Sequence, residues 1–269
     1  MKRSRPFSII LFITSCLLTS VFGNQKSDSS ITPQKNFSVD LGSSITLEMI
    51  WISGGTFQMG SPSSESGRYD SEGPMHSVEL DGFWMGKYEV TQEQYQAVMG
   101  INPSNFKRAA NPVENVSWND AMGFCRKLQT KTGHLFTLPT EAQWEYACRA
   151  GTQTRFHFGD SKLTLADYAW IRRSFTRRRT HPAGEKKPNQ FGLYDMNGNV
   201  VEWCADWYGD YTSGSAKNPP GPSSGAYRVC RGGSVYSRPE NCRSSARSHL
   251  IPENRGNTLG FRVARSPFR

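Results

Sequence analysis

The sequence predicts a loop-rich α+β domain, and three observations lead to this prediction. Three segments begin with helix-capping signals and continue with apolar residues at helical spacing. Elsewhere, short runs of apolar residues are bounded by turn residues, as in β-strands. The chain also contains 25 glycines, 7 tryptophans and 10 tyrosines, which favours irregular backbone held in place by aromatic side chains.

Each predicted helix begins at a hydroxyl residue. Thr91 begins the first helix, and Gln94, three positions later, completes a capping box. Ser117 begins the second helix and Thr140 the third. The side chains expected to face the interior are Tyr95, Val98 and Met99 in the first, Ala121, Phe124, Cys125 and Leu128 in the second, and Trp144, Ala147 and Cys148 in the third.

Two strand predictions complete the local structure. Residues 49–52 and 57–59 flank Ser53-Gly54-Gly55, and this pattern is typical of a β-hairpin. Residues 259–263 (LGFRV) alternate between apolar and other residues, which indicates a closing strand near the end of the domain.

The chain divides into three parts by composition. Residues 1–23 have the basic start and apolar stretch of a secretory signal, so we expect an exported protein: periplasmic, cell-surface or secreted. Membrane attachment is expected only if Cys16 is lipidated, which is the minor alternative. Residues 24–44 are polar and indicate a linker, and residues 45–269 are predicted to form one domain.

Composition excludes several classes of protein. A hydrophobic content of 36 % supports a folded core, and this excludes a disordered chain, collagen and a multi-span membrane protein. The formal net charge is +9, and three of these positive charges lie in the signal segment. The remaining excess favours anionic partners only weakly. Nucleic acid is not expected to be a partner of an exported protein.

Several motifs in order resemble the formylglycine-generating enzyme (sulfatase-modifying factor) family. They are residues 54–60 (GGTFQMG), 138–146 (LPTEAQWEY), 192–203 (GLYDMNGNVVEW), 231–234 (RGGS) and 260–262 (GFR). The resemblance covers about residues 46–266. It implies a loop-rich fold related to C-type lectin domains, although a fold by itself does not decide function.

The family's reaction oxidises a substrate cysteine with oxygen, and the resemblance implies a copper(I) ion held by two cysteine thiolates. Soft thiolates suit Cu(I). In this sequence Ser237 occupies the position of the first metal cysteine, which makes copper doubtful. Cys242 falls at the second position in one alignment, whereas a second alignment leaves both positions without cysteine. The candidate catalytic residues are therefore Cys242, Ser237 and Ser234, and the groove is also expected to include Arg247.

The resemblance also implies a calcium loop. Its ligands would be the side chains of Asp195 and Glu202 and the backbone carbonyls of Gly198 and Val200, all hard oxygen donors. The alternative is a tight Asn-Gly turn that leads into a strand. Val201 replaces the tryptophan that is common in the family at this position, so an aromatic wall of the groove is expected to be absent, whereas Trp203 is expected in the core.

The remaining polar residues are less informative. The five histidines lack the spacing of metal ligands, and only His181 is expected near the cleft. Seven basic residues between Arg172 and Lys187 indicate a solvated loop, with docking of an acidic glycan, a sulfated polymer or an anionic surface as the alternative. A disulfide between Cys148 and Cys242 is conceivable, because the family's equivalent residues lie close together.

Two functions remain open. The first is an exported, degenerate member of the family that binds a protein or glycan in its cleft. The second is an oxygen-dependent oxidoreductase of the formylglycine-generating type that modifies a residue in a protein. The broken cysteine pair favours the first function, and the completeness of the resemblance favours the second.

Overall fold

The computed structural model describes Met1, residues 35–172 and residues 179–267. Apart from Met1, the predicted signal segment lies outside the described residues, as does the linker up to residue 34. Lys35–Arg269 forms one compact unit. No helix among the described residues combines the length and apolar character needed to cross a membrane.

The domain alternates short strands, helices and long loops, and this confirms the predicted α+β, loop-rich class. The elements are β1 (Phe37–Gly42), β2 (Ile45–Ile52), β3 (Gly55–Met59), β4 (His76–Leu80), β5 (Phe83–Gly86), α1 (Gln92–Met99), α2 (Trp118–Thr132), β6 (Phe136–Thr137), α3 (Glu141–Arg149), α4 (Leu165–Tyr168), β7 (Val201–Trp207), β8 (Ala216–Lys217), β9 (Arg228–Arg231), β10 (Ser248–Leu250), β11 (Leu259–Gly260) and β12 (Ala264–Arg265). Two 3-10 helices are formed by Asp70–Glu72 and Pro239–Cys242.

The strands form three sheets among the described residues. Their orders are β1-β2-β5-β12-β6, β10-β9-β7-β11 and β3-β4-β8. Within the larger core cluster, Tyr95 of α1 stacks on Phe124 of α2 with ring centroids 5.7 Å apart. Helix α3 contacts strands of both the four-stranded and the three-stranded sheet. It therefore lies beneath the loops that follow β9, where the candidate site is found.

The three predicted helices are confirmed, together with their caps. The hydroxyl groups of Thr91, Ser117 and Thr140 accept from the backbone N–H three residues later, and a side chain at that position returns a hydrogen bond. In α2 and α3 all the side chains predicted to face inward are buried. In α1 Tyr95 is buried, whereas Val98 and Met99 are only partly buried against the core.

The predicted hairpin is wrong. β2 pairs with β1 and β5, whereas β3 pairs with β4, so the two segments belong to different sheets. Gly54 lies where the chain passes from the sheet of β2 to the sheet of β3, and a Cβ atom on it would lie 2.5 Å from the carbonyl oxygen of Leu80. Gly54 is therefore required by a close approach of two backbones, and not by a hairpin turn.

The predicted closing strand is also wrong, because it is divided. Leu259–Gly260 forms β11, and the next strand, β12, begins at Ala264 in another sheet. Between them the Phe261 carbonyl accepts from the N–H of Val90, in a loop, and the Val263 carbonyl accepts from the N–H of Gly86, at the end of β5. Arg262 is fully buried and donates to the carboxylate of Glu202, so this part of the chain packs into the core and does not continue a strand.

The linker is shorter than predicted, because β1 lies inside residues 24–44. β1 and β2 are joined by Ser43 and Ser44, which have φ angles of 53° and 62°. Positive φ at both central residues is the geometry of a hairpin turn that usually contains Asn-Gly. A pair of serines is not a sequence signal for such a turn, so the sequence did not predict β1, the first strand of the domain.

Candidate functional site

A cavity of about 250 Å³, here called the groove, opens where the end of β9 meets the loops that precede β10. It is lined by both backbone and side chains from distant parts of the sequence. The lining residues are Tyr69, Val201, Cys230, Arg231, Gly232, Gly233, Ser237, Asn241, Ala246, Arg247 and Ser248. Val201 lines the groove at the position expected, and Trp203 is fully buried in the core, also as expected.

The Gly232-Gly233 turn shapes the wall of the groove. Both residues have left-handed backbone, with φ of 92° and 72°. A Cβ atom on Gly233 would lie 2.5 Å from the Cys242 sulfur and 3.2 Å from Cβ of Ser237. No residue other than glycine satisfies both the conformation and the space. The turn thus brings Ser237 and Cys242 against the same glycine.

The three candidate catalytic residues lie close together but face different environments. Ser237 lines the groove, and its hydroxyl accepts from the backbone N–H of Ser234 at 2.9 Å. Ser234 is 3 % exposed, and its own hydroxyl accepts from the Tyr236 N–H. Cys242 is fully buried, and burial raises the pKa of its thiol to about 12. Only Ser237 of the three reaches the groove.

The conceivable disulfide between Cys148 and Cys242 is not formed. All five cysteines of the described residues are free and buried. The amide of Asn197 lies between the two, donating to the Cys148 sulfur at 3.6 Å and to the Cys242 carbonyl at 2.7 Å. Burial raises the pKa of the Cys148 thiol to about 11. Both sulfurs are therefore protonated thiols at neutral pH.

A buried network of charges supports the groove from below. Arg231 binds Glu141 at 3.0 Å and Glu145 at 2.6 Å, and Arg247 makes two hydrogen bonds to Glu141. Burial by itself would raise the pKa of Glu141, but the charges of Arg231 and Arg247 outweigh burial and lower it. Each buried charge is thus paired, as a stable interior requires.

Sequence reasoning missed most of this network, although a signal existed. Glu141 and Glu145 lie on the same face of α3 as Trp144 and Cys148, which were predicted to be buried. Two acids on an apolar helix face require partners inside the protein. The partners, Arg231 and Arg247, are about 90 residues or more away in sequence and carry no local signal of their own.

The outer edge of the groove also contains residues that sequence reasoning missed. The Tyr69 hydroxyl donates to Oδ1 of Asn241 at 2.9 Å, joining the two 3-10 helical segments across the groove. Beneath them, the fully buried Arg243 binds Glu72 and Glu65. This ion pair fixes the segment that carries Tyr69.

A second cavity of about 340 Å³ shares Arg247 with the groove. Prolines at 219, 220 and 222, together with Trp207 and Tyr211, give it an apolar wall. Asp206 also lines it and accepts from the backbone N–H of Glu141 at 2.8 Å. Burial, with the negative charge of Glu141 acting in the same direction, raises the pKa of Asp206 to about 8.

The predicted calcium loop is buried and short of positive charge. Glu89, Asp195 and Glu202 influence one another electrostatically, and Arg262 is the cation among them. Burial raises the pKa of Asp195 to about 6, and Oδ1 of Asp195 has no hydrogen-bond partner. Glu202 accepts hydrogen bonds from Arg262 and Trp144 but keeps acceptor capacity. An excess of buried carboxylates with an unpartnered oxygen fits a bound cation.

No group of three or more His, Cys, Asp or Glu side chains among the described residues is placed to hold a metal. The calcium loop needs only two such side chains, so calcium stays a prediction. His181 does not line the groove. It stacks on Trp170 with ring centroids 3.7 Å apart and lines a separate cavity, which corrects its expected place near the cleft.

The basic segment is only partly described, since Arg173, Arg177 and Arg178 lie outside the described residues. Two of its lysines make local contacts. Lys186 lies 3.9 Å from the centre of the Trp170 ring, and Lys187 forms an exposed ion pair with Asp167. Arg172 hydrogen-bonds through its backbone N–H to the carbonyl of Ser237, which ties the segment to the groove.

Comparison with known proteins gives several relatives. A formylglycine-generating enzyme of Mus musculus is 32 % identical over 81 % of this chain and 74 % of that protein. The chaperone protein LppX of Paenibacillus barcinonensis is 29 % identical over 82 % of this chain and 90 % of that protein. The serine/threonine-protein kinase pkn1 of Chlamydia caviae is 33 % identical over 81 % of this chain, but the match spans only 38 % of that protein.

The fold is shared with solved structures. Treponema denticola variable protein 1 has a TM-score of 0.80 and 32 % identity, covering 87 % of this chain and all of that one. Residues 42–267 match the family described as "Sulfatase-modifying factor enzyme 1-like domain". The ordered motifs, the Gly-Gly turn and the loop-rich α+β fold agree with that match. The chain belongs to the sulfatase-modifying factor family, to which formylglycine-generating enzymes also belong.

Proposed function

We propose that this chain is an exported binding member of its family, and that its groove holds an extended segment of a polypeptide partner without oxidising it. The observation that carries the proposal is the state of Cys242, which is fully buried behind Gly233 while Ser237 faces the groove.

The residues present do not fit a two-thiolate copper site. Copper(I) selects soft thiolate ligands. Ser237 offers a hard, protonated hydroxyl in place of one thiolate, and Cys242 is fully buried behind Gly233. A buried thiol is also poorly placed to reach a substrate sulfur. We therefore derive no redox step for this groove.

The shape and chemistry of the site support a polypeptide ligand. The groove and the second cavity lie next to each other, since Arg247 lines both, and an extended peptide is the kind of ligand that would span them. The groove presents hydrogen-bonding side chains, among them Ser237, Asn241 and Ser248, and the second cavity presents prolines and aromatic rings. An extended peptide needs both, since its backbone hydrogen-bonds and its side chains pack. The name of the LppX relative, a chaperone protein, agrees with this choice.

The buried ion pairs support binding in a second way. A surface held by Arg231, Arg247 and α3 is already in place before a ligand arrives, so binding would cost little ordering entropy. Calcium would add to this rigidity. Held by Asp195, Glu202 and the carbonyls of Gly198 and Val200, it would brace the loop whose Gly198 N–H donates to the Gly232 carbonyl at 2.9 Å.

The test blocks the groove without touching the buried network. Ser248 is exposed and lines the groove, so Ser248→Trp should fill it. Thr130→Trp, on the exposed side of α2, is the matched control. The probe is reduced, carboxymethylated lactalbumin, a permanently unfolded polypeptide, and its binding is followed by fluorescence anisotropy.

We expect the wild type and Thr130→Trp to bind the probe, and Ser248→Trp to bind at least about tenfold more weakly, a loss of about 1.4 kcal/mol. Equal binding by all three proteins would reject the groove as the binding site. Absence of binding to the probe, with saturable and groove-dependent binding to a glycan library, would replace the polypeptide with a glycan.

A further inference from the structure

A third cavity, of about 190 Å³, lies apart from the groove and is walled by cations. It is lined by Phe106, Lys107, Arg108, Asn111, Arg179, Thr180 and His181. None of these residues lines the groove or the second cavity. The three cations come from two separate segments of the chain, residues 106–111 and 179–181, so the cavity is formed only by folding.

None of these cations has a direct ion-pair partner within the described part of the chain. No ion pair there involves Lys107, Arg108 or Arg179, whereas Arg231 and Arg247, the two arginines that line the groove, are both paired. The ammonium group of Lys107 donates to the backbone carbonyl of Asn102 at 2.6 Å, which leaves two of its donors for other partners. Of the nearby acids, Glu114 is buried, accepts from the Phe106 N–H and acts electrostatically on Lys107 without a direct ion pair. Glu185 acts on His181.

The walls of the cavity are fixed by buried hydrogen bonds. The Asn111 amide donates to both the carbonyl and the hydroxyl of Thr180 at 2.9 Å, which joins the two segments. Gln92 binds the carbonyl of Phe106 and accepts from the N–H of Arg108. The backbone around the cavity is therefore preformed, and it carries the exposed side chains of Lys107, Arg108 and Arg179.

The electrostatic surroundings of His181 indicate a positive potential in the cavity. Its pKa is lowered by burial, and the charges of Arg179, Lys186 and Arg108 lower it further, against the opposing charge of Glu185. The ring is held in place by its stack on Trp170 and by hydrogen bonds between its backbone and Asn199. A ligand that enters the cavity thus meets cationic side chains on a fixed backbone, and a positive field.

We propose that this cavity binds a tetrahedral oxyanion, a sulfate or phosphate group, either as the free ion or as an ester on a polysaccharide. Guanidinium groups match the geometry of such oxygens and remain charged at any physiological pH. The volume is below that of typical sites for drug-sized ligands, which suits a small anion or a single charged substituent. The site is independent of the proposed function of the groove.

The test measures thermal stability against sodium sulfate and sodium phosphate, with sodium chloride at equal ionic strength as the reference. Arg108→Gln/Arg179→Gln removes two lining charges. Arg126→Gln/Lys127→Gln removes the same number of charges from the exposed side of α2 and is the matched control. We expect a saturable rise in melting temperature for the wild type and the control, and an apparent affinity about tenfold weaker or more in the cavity variant.

Two further arms identify the source of the anion. A heparin tetrasaccharide that binds more tightly than free sulfate, and loses this advantage in the cavity variant, would assign the site to an ester. Binding of free sulfate or phosphate with no such advantage would assign it to the free ion. Equal responses from wild type and cavity variant, or no response beyond that to chloride, would overturn the proposal.

Discussion

Replacing Gly233 with alanine probes the contact that separates the Cys242 sulfur from the groove. The new Cβ atom would lie 2.5 Å from that sulfur and 2.9 Å from the Asn241 carbonyl oxygen, at a φ of 72°. Left-handed backbone costs a residue with a Cβ about 1–2 kcal/mol, and overpacking costs about 1–3 kcal/mol. Gly233→Ala should therefore reduce the free energy of unfolding by about 2–5 kcal/mol and the melting temperature by about 4–20 °C.

The matched control is Gly100→Ala. Gly100 has a similar φ of 81°, but no atom lies within 4 Å of the added Cβ, so only the backbone cost should appear. Urea denaturation of the two variants measures the difference directly. A Gly233→Ala variant as stable as Gly100→Ala would refute the close packing of Cys242 behind the turn.

Three other predictions concern the buried charges. Glu141→Ala removes the carboxylate partner of Arg247 and leaves Arg231 paired with Glu145 alone, so it should cost about 3–5 kcal/mol in urea denaturation. Lys217→Ala breaks an exposed pair and should cost less than about 1 kcal/mol, and similar losses in the two variants would contradict the role given to the network. Since the pKa of Asp206 is raised to about 8, the folded state keeps a proton on this carboxyl that the unfolded state releases. The free energy of unfolding therefore decreases as the pH rises from about 4 to about 8. Asp206→Asn should remove that slope, and parallel pH profiles would show the reasoning to be wrong. Calcium at about 100 times its dissociation constant should raise the melting temperature of the wild type by about 5–10 °C relative to magnesium, whereas Asp195→Ala should show no such rise. An unchanged melting temperature of the wild type would argue for the Asn-Gly turn without a metal.

Local signals predicted the helices well because a capping box is complete within four residues. The strands were harder, since a short apolar run does not say which strand it will pair with. β2 and β3 look like a hairpin in sequence, yet the chain crosses between sheets at Gly54. The last strand was divided because Arg262 turns into the core to meet Glu202, a contact across 60 residues.

The candidate site shows the same limit. The Gly-Gly-Ser motif located the groove, and Ser237 and Val201 line it as expected. Motif spacing could not show that Cys242 packs behind Gly233, because that depends on the three-dimensional path of the loop. Nor could it show the pairing of Arg231 with α3, since arginine is by default a surface residue.

The most direct test of the central claim is mass spectrometry of a Cys-x-Pro-x-Arg peptide after incubation with the purified protein, copper and oxygen. The Mus musculus formylglycine-generating enzyme, treated in parallel, provides the positive control. We predict that the peptide cysteine remains a thiol with this chain, because its groove presents Ser237 where a thiolate is required. Formation of the aldehyde by this chain, and its loss in Cys242→Ser, would contradict the account and assign the chain to the oxidoreductases of its family.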